Sequence, residues 1–410
     1  MYRENNKMKH VTITSSKSDA HRAWICAYLS KHPCRVVSNG TSDDIRATVS
    51  CMEALKEAAA NGMPAELHCR ESGSTFRFLL PVTAVLGVHG KFFPEGRLPE
   101  RPLSPLYEEL EAHGCRLSPM GSVPFEIEGK LHPGTFTIPG NVSSQYISGL
   151  LFALPLLRGD SVIEIPGELQ SAGYVRMTER TLERFGINFR DDGGKISIRG
   201  GQTYQGPEEY QVEGDWSNAA FWLTMGAIGE EAVAVHGLRS DTAQGDAEIY
   251  ELLKQFGADA DMEDDVVTVR PSADKLTGIE IDAGNIPDIV PELALIGSIA
   301  NGVTVISHAE RLRMKESDRL QAVAEVLQSL GADIQERPDG LIIRGTGGQK
   351  LTGGEADGFH DHRIVMMAAA ASAACENPVA IIGSGAASKS YPTFFQEMKK
   401  MGLDGNVIQK

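Results

Sequence analysis

No Cys-x-x-Cys pair occurs among the six cysteines of this 410-residue chain, and no histidine cluster stands at metal-ligand spacing. Neither a zinc site nor a disulfide framework is indicated, so a reducing, cytoplasmic setting with no metal and no cofactor is the expectation. Long apolar runs are missing too: the longest, near Tyr146–Leu157 and Ile364–Cys375, fall short of the roughly 20 residues that cross a bilayer. The N-terminal stretch MYRENNKMKHVTIT is polar and has no apolar core, so neither export nor a membrane anchor is expected. Positive charge is in deficit, with 39 Lys and Arg against 55 Asp and Glu and a net charge of −16. Such a field repels nucleic acid and anionic membranes, and an anionic partner must be met by a local gathering of cations. There is no G-x-x-x-x-G-K-[ST] loop and no G-x-G-x-x-G turn, which removes the usual support for nucleotide-dependent phosphoryl or hydride transfer.

What the chain does contain is repetition. An amphipathic helix ending in an apolar residue and Gly recurs as LYEELEAHG, ERTLERFG, IYELLKQFG, AVAEVLQSLG and FFQEMKKMG. The glycines are Gly114, Gly186, Gly257, Gly331 and Gly402, spaced by 72, 71, 74 and 71 residues. Glycine there reads as a left-handed helix C-cap, followed by a strand, a turn and a second strand. A second element is a polar cluster opening a helix that is apolar nearly all round, marked by Ser18, Ser74, Ser144, Ser217, Asp288 and Asp361, at intervals of 56, 70, 73, 71 and 73. A helix without a polar face has to be buried, which puts these helices inside and the hairpin strands in outer sheets. Six units divide into three and three. The expected domains are 14–213, and 1–13 together with 214–410, the strand around Val11–Thr14 crossing to the C-terminal half.

Each buried helix starts with unsatisfied N–H groups and a positive dipole end, a ready anion site. Capping alone is the better account of Ser74, Ser144 or Ser217 taken singly. It does not account for the cations beside them: Lys17, Arg22, Arg77, Arg101, Lys315, Arg319, Arg363 and Lys389. Cations in or next to apolar helices must be paired or must hold a ligand, and in an acidic protein they point to an anion pocket. Lys315 and Arg319 stand four apart and share a face in RLRMKESDRL, where Glu316 lies between them. Asp288, in NIPD, reads either as an N-cap or as a base at the mouth of a cationic pocket. His362 reads equally as a structural partner of an Asp or as a site residue.

The motifs SKSDAHR (Ser16–Arg22), ESGSTFR (Glu71–Arg77), LPERP (Leu98–Pro102), VSSQY (Val142–Tyr146), SAGY (Ser171–Tyr174), NIPD (Asn285–Asp288), RLRMKESDRL (Arg311–Leu320), DHR (Asp361–Arg363) and SKSYP (Ser388–Pro392) together resemble those of the 3-phosphoshikimate 1-carboxyvinyltransferase (EPSP synthase) family. They occur in the family's order, from about residue 11 to 396. The resemblance implies an inside-out α/β barrel, two domains each of three βαβαββ units with buried helices and outer sheets, and an active site in the cleft between them. It implies transfer of the enolpyruvyl group of phosphoenolpyruvate to the 5-hydroxyl of shikimate 3-phosphate, with release of phosphate, by a monomer.

By that resemblance Lys17, Ser18, Arg22, Ser143, Ser144, Gln145, Ser171, Tyr174, Asp288, Arg311 and Lys315 hold shikimate 3-phosphate. Lys17, Gly73, Arg101, Gln145, Arg319, Arg363 and Lys389 hold phosphoenolpyruvate. Asp288 takes the 5-hydroxyl proton, Lys17 and Glu316 deliver and remove a proton at the methylene carbon, and Ser74, Arg77 and His362 support. The sequence departs from the common family pattern at Glu71, Ser74, Arg311 and Thr14-Ser15. Two other readings compete. UDP-N-acetylglucosamine enolpyruvyl transferase resembles this fold and donor but carries a Cys in the loop that here reads KFFPEGRLPERP. A non-catalytic binding protein of the same fold has no need of Asp288, Glu316 and Lys17 together.

Overall fold

The computed structural model describes residues 8–410; the first part of the N-terminal stretch read above for a leader lies outside the described residues. The chain forms two compact units, Lys17–Val212 and Glu213–Lys410, and the second also takes in the segment that ends at Ser16. Thr14, Ser15 and Ser16 thus group with the C-terminal half: Ser15 bridges to Gly214, and the Ser16 amide donates to the Glu213 carbonyl. Each unit has its own apolar core.

One sheet pattern recurs. Ala65–Arg70 runs parallel to Gly90–Pro94, which pairs antiparallel with Phe125–Gly129, and Cys115–Leu117 closes the edge. The same order appears with Thr135–Thr137, Ser161–Glu164, Lys195–Ile198 and Phe189–Asp191, and again with Glu280–Asp282, Val303–Ser307, Gly340–Arg344 and Asp333–Arg337. A parallel pair cannot be joined by a tight turn, so a helix has to cross between its strands; the antiparallel pair closes as a hairpin. In the fourth such sheet the leading strand is Lys9–Thr12, paired in parallel with Val233–His236. Two smaller sheets complete the set: Arg35–Val37 with Glu209–Gln211, and Gly354–Asp357 with Val379–Ile382 and Val407–Gln409. Six βαβαββ-like units result, with mixed sheets and interior helices.

The crossing helices are buried as their composition requires. Every residue of Trp216–Ile228, Val290–Ile299 and His362–Ala371 is buried, and Gly73–Leu86 and Ser144–Ala153 are nearly so. Lys17–Leu29 departs from that expectation, since Trp24, Ala27, Tyr28 and Leu29 are only half-buried. Its unit has a two-stranded sheet and a long helix, Asp43–Asn61, where the four-stranded units have a hairpin, so less sheet is available to cover it. The five repeat glycines all take positive φ, between 70° at Gly402 and 99° at Gly331, a backbone that only glycine adopts freely.

Candidate active site

The polar clusters at the helix starts do something other than simple capping. The N-cap bonds come from neighbours one or two residues earlier: Ser72 accepts from the Thr75 amide, Ser143 from Gln145, Asp215 from Asn218 and Asp361 from Arg363. The cap position of the short 3-10 turn Pro287–Ile289 is Ile286, so Asp288 lies inside the turn rather than at its cap. The capping explanation of Ser74, Ser144, Ser217 and Asp288 is therefore corrected, and their side chains are available for other contacts. Ser74 accepts a 3.0 Å hydrogen bond from Gln145 Nε2. Ser217 donates to Asp215 and accepts from Arg363 Nη2 at 3.0 Å.

In the Lys17–Val212 unit two cationic groupings form. Arg22 is 2 % exposed; its Nε donates to Thr178 Oγ1, its Nη1 to the Ser18 carbonyl and its Nη2 to the Tyr174 carbonyl. The guanidinium also lies over the Phe78 ring, 5.2 Å from its centroid. Burial lowers its pKa to about 10, against the opposing pull of Asp19. Lys17, the first residue of its helix, forms a 2.9 Å ion pair with Asp44. Ser171, at positive φ of 55°, is buried at the start of Ala172–Arg184, whose first turn carries Tyr174.

The second grouping surrounds Gly73. Arg77 donates to Gln145 Oε1 at 2.9 Å and to the Pro102 carbonyl at 3.1 Å. A Cβ placed on Gly73 would lie 2.8 Å from Arg77 Nη1 and 3.0 Å from Arg101 Nη1. Both guanidinium groups thus lean on the one residue of the helix start that has no side chain, beside Gln145. This leaves backbone N–H groups and two cations facing the same small space.

The C-terminal unit gathers its charges more tightly. Asp288 Oδ1 accepts from Arg319 Nη1 at 3.1 Å and from Lys315 Nζ at 3.3 Å, and its Oδ2 is 3.5 Å from Arg363 Nη2. Arg363 Nη1 donates to the backbone carbonyl of Asp288 at 2.8 Å. Glu316 holds the other end of Arg319 at 2.7 Å. Beneath them the fully buried Asp361 accepts from Arg319 Nε at 2.9 Å and from Ser317 Oγ at 3.0 Å. Burial works to raise the Asp361 carboxyl, yet the Arg319 guanidinium holds it below the ordinary carboxylate range. Burial opposes charge on Arg319 as well, and Asp361, Glu316 and Asp288 overcome it and raise its pKa. Lys315 goes the other way, lowered first by burial, with Arg319 and Arg311 adding like-charge repulsion. Lys389 donates to the His360 carbonyl at 2.7 Å, and His362 is buried with its Nδ1 3.8 Å from Asp361.

The sequence-predicted residues therefore assemble into Arg22 with Ser18 and Tyr174, Gly73 with Ser74, Arg77, Arg101 and Gln145, and Asp288 with Lys315, Glu316, Arg319 and Arg363. Three carboxylates were missed. Asp44 and Asp361 look in sequence like ordinary helix-start acids, and nothing marks them as counter-ions. Glu292 did leave a signal: it is the lone charged residue in the otherwise apolar VPELALIGSI.

Comparison with known proteins places these residues in context. The model of the EPSP synthase (3-phosphoshikimate 1-carboxyvinyltransferase) family matches residues 3–398. A 3-phosphoshikimate 1-carboxyvinyltransferase of Clostridium kluyveri is 41 % identical over 410 residues, covering 96 % of this chain and 94 % of its own. One from Clostridium perfringens is 40 % identical, with 96 % and 95 % covered. Among solved structures, an EPSP synthase of Acinetobacter baumannii superposes with a TM-score of 0.79 at 25 % identity, covering 97 % of both chains. The enolpyruvyl transferase NikO of Streptomyces tendae shares the fold, with a TM-score of 0.77 at 18 % identity over 97 % of this chain and 96 % of its own.

Proposed function

Because the chain belongs to the EPSP synthase (3-phosphoshikimate 1-carboxyvinyltransferase) family, we propose that its clusters of buried cations divide the two substrates of one reaction between them. The protein is a transferase of the shikimate pathway, serving aromatic amino-acid biosynthesis. It moves the enolpyruvyl group of phosphoenolpyruvate to the 5-hydroxyl of shikimate 3-phosphate and releases inorganic phosphate. A UDP-sugar acceptor is disfavoured by the same matches.

Shikimate 3-phosphate falls to Lys17, Ser18, Arg22, Ser143, Ser144, Gln145, Ser171 and Tyr174, with Asp288, Arg311 and Lys315. Phosphoenolpyruvate falls to Lys17, Gly73, Arg101 and Gln145 with Arg319, Arg363 and Lys389; Ser74, Arg77 and His362 hold these groups in place. The observation that carries the reading is Asp288, a carboxylate within 3.1–3.5 Å of Lys315, Arg319 and Arg363. A carboxylate so placed can accept the 5-hydroxyl proton while the cations around it neutralise incoming phosphate and carboxylate. Lys17 and Glu316 then give a proton to the methylene carbon and take it back as the tetrahedral adduct collapses.

Phosphate release from phosphoenolpyruvate tests this. Shikimate 3-phosphate should support it and a UDP-sugar should not; Asp288→Asn should slow it by roughly 10²- to 10⁴-fold, the size of general-base effects. Undiminished turnover by Asp288→Asn removes it from the mechanism. The same reading makes the working form a cytoplasmic monomer without nucleic-acid or membrane partners. The net charge of −16 opposes binding to polyanions such as nucleic acid, and among the described residues no helix is long and apolar enough to cross a membrane. Sedimentation at a single-chain mass checks the monomer.

A further inference from the structure

Glu292 sits one helical turn after Asp288, on Val290–Ile299, with no exposed surface. Among the described residues no other residue hydrogen-bonds either oxygen of its carboxyl, and only its own backbone N–H lies close enough to favour the charged form. A buried carboxylate bonded by no other residue is so costly that the neutral acid is the expected resting form unless a charge balances it. The helix packs against Trp216–Ile228, Arg319–Ser329 and His362–Ala371; the last two carry arginines of the proposed phosphoenolpyruvate clamp in their first turns, with His362 beside Arg363. The charged groups that face Glu292 are Arg363 and Arg319, which favour its ionisation, and Asp246, which opposes it; the Trp216–Ile228 helix brings only the polar Ser217 and Asn218 at its start.

We propose that Glu292 is a positioning residue for the anion clamp: by gaining or losing one proton beneath Arg363 and Arg319, it sets how strongly those two arginines hold phosphoenolpyruvate. With the proton on, both guanidinium groups keep their full field for the substrate. With the proton lost to solvent, the new carboxylate competes with the substrate for the same cations. Burial is the leading influence on the group and raises its pKa to about 8, so the switch falls in an accessible range. An anion bound at the arginines disfavours the second negative charge, so phosphoenolpyruvate binding draws Glu292 toward its protonated form. This rests on the assignment of Arg319 and Arg363 to phosphoenolpyruvate.

The test is the KM for phosphoenolpyruvate, from phosphate release at saturating shikimate 3-phosphate, between about pH 6.5 and 9. Wild type should show a rise of roughly three- to tenfold across that range, the size of one nearby charge at a protein-like dielectric. Glu292→Gln should hold the ratio within about twofold. Parallel profiles overturn the proposal, since a merely structural Glu292 would leave the pH dependence in place. If circular dichroism shows the Gln variant unfolded, Glu292→Met supplies the same comparison with a non-titrating side chain of similar length. Arg363→Gln at about pH 6.5 separates the two levels of argument. A raised phosphoenolpyruvate KM there, with parallel Glu292 profiles, defeats only the proton switch, and an unchanged KM defeats the clamp assignment beneath it.

Discussion

Arg22 and Glu292 are both buried, and the fold treats them in opposite ways. Arg22 has partners for Nε and both terminal nitrogens and two aromatic faces nearby, so its charge is retained at the low pKa that burial imposes. Glu292 has no such partners, and its charge is the thing given up. Its carboxyl is raised from an ordinary 4.5 to about 8, so the folded chain keeps a proton that the unfolded chain loses above the ordinary value. Stability must then fall as pH rises through that window, by up to about 1.4 kcal/mol per pH unit from this group. Urea unfolding of Glu292→Gln between about pH 5 and 8 should show a shallower decline than wild type. Glu316 presents the third case, a carboxylate held on Arg319 at the cluster's edge; Glu316→Gln is expected to cut kcat by roughly 10²-fold or more while both substrates still bind. A near-wild-type kcat would take Glu316 out of proton transfer. These residues also show the limit of reading a sequence. The cations stood out because they break apolar patterns, whereas Asp44 and Asp361 were not legible as counter-ions of Lys17 and Arg319, because acids are ordinary at helix starts.

At the scale of single elements, the helix starts combine two functions that a sequence cannot separate. A cap needs an oxygen at the right backbone angle, and Ser72, Ser143, Asp215 and Asp361 have it while the adjacent Ser74, Ser144 and Ser217 do not. Two adjacent polar residues at a helix start look alike in sequence, and only the backbone geometry distinguishes them. The glycine signal was more legible, because positive φ excludes most other residues. Gly73 is different in kind: its φ is ordinary, and close approach by Arg77 and Arg101 is what demands the missing side chain. Gly73→Ala should push those guanidinium groups aside and raise the phosphoenolpyruvate KM on the order of tenfold, since displacements of about 1 Å can cost up to 10²-fold. Unchanged steady-state constants would show that the two arginines have room to move. Asp361 ties the start of His362–Ala371 to Arg319 and Ser317, with no exposed surface. Asp361→Asn leaves Arg319 short of a buried counter-charge and should cost about 3–5 kcal/mol in urea unfolding.

For the whole molecule, the repeat spacing alone carried most of the architecture. Steps near 71 residues between helix-ending glycines correspond, at Gly114, Gly186, Gly257 and Gly331, to units with one sheet order, and helices without a polar face had nowhere to go but inside. What spacing could not convey is where a unit is abbreviated. The two-stranded sheet of Arg35–Val37 and Glu209–Gln211 leaves Lys17–Leu29 less covered than the other crossing helices. The strand expected around Val11–Thr14 to cross to the C-terminal half is Lys9–Thr12, and what spacing could not show is its partner, Val233–His236, more than 200 residues away in sequence, with which it pairs in parallel.

The division of substrates between two sets of buried arginines is tested most directly by measuring both KM values in Arg22→Gln and in Arg363→Gln. Arg22→Gln should raise the KM for shikimate 3-phosphate at least about tenfold, as loss of a charge-assisted pairing implies, and change that for phosphoenolpyruvate far less. Arg363→Gln should do the reverse. Equal effects on both substrates in both folded variants, or no effect in either, would contradict the account.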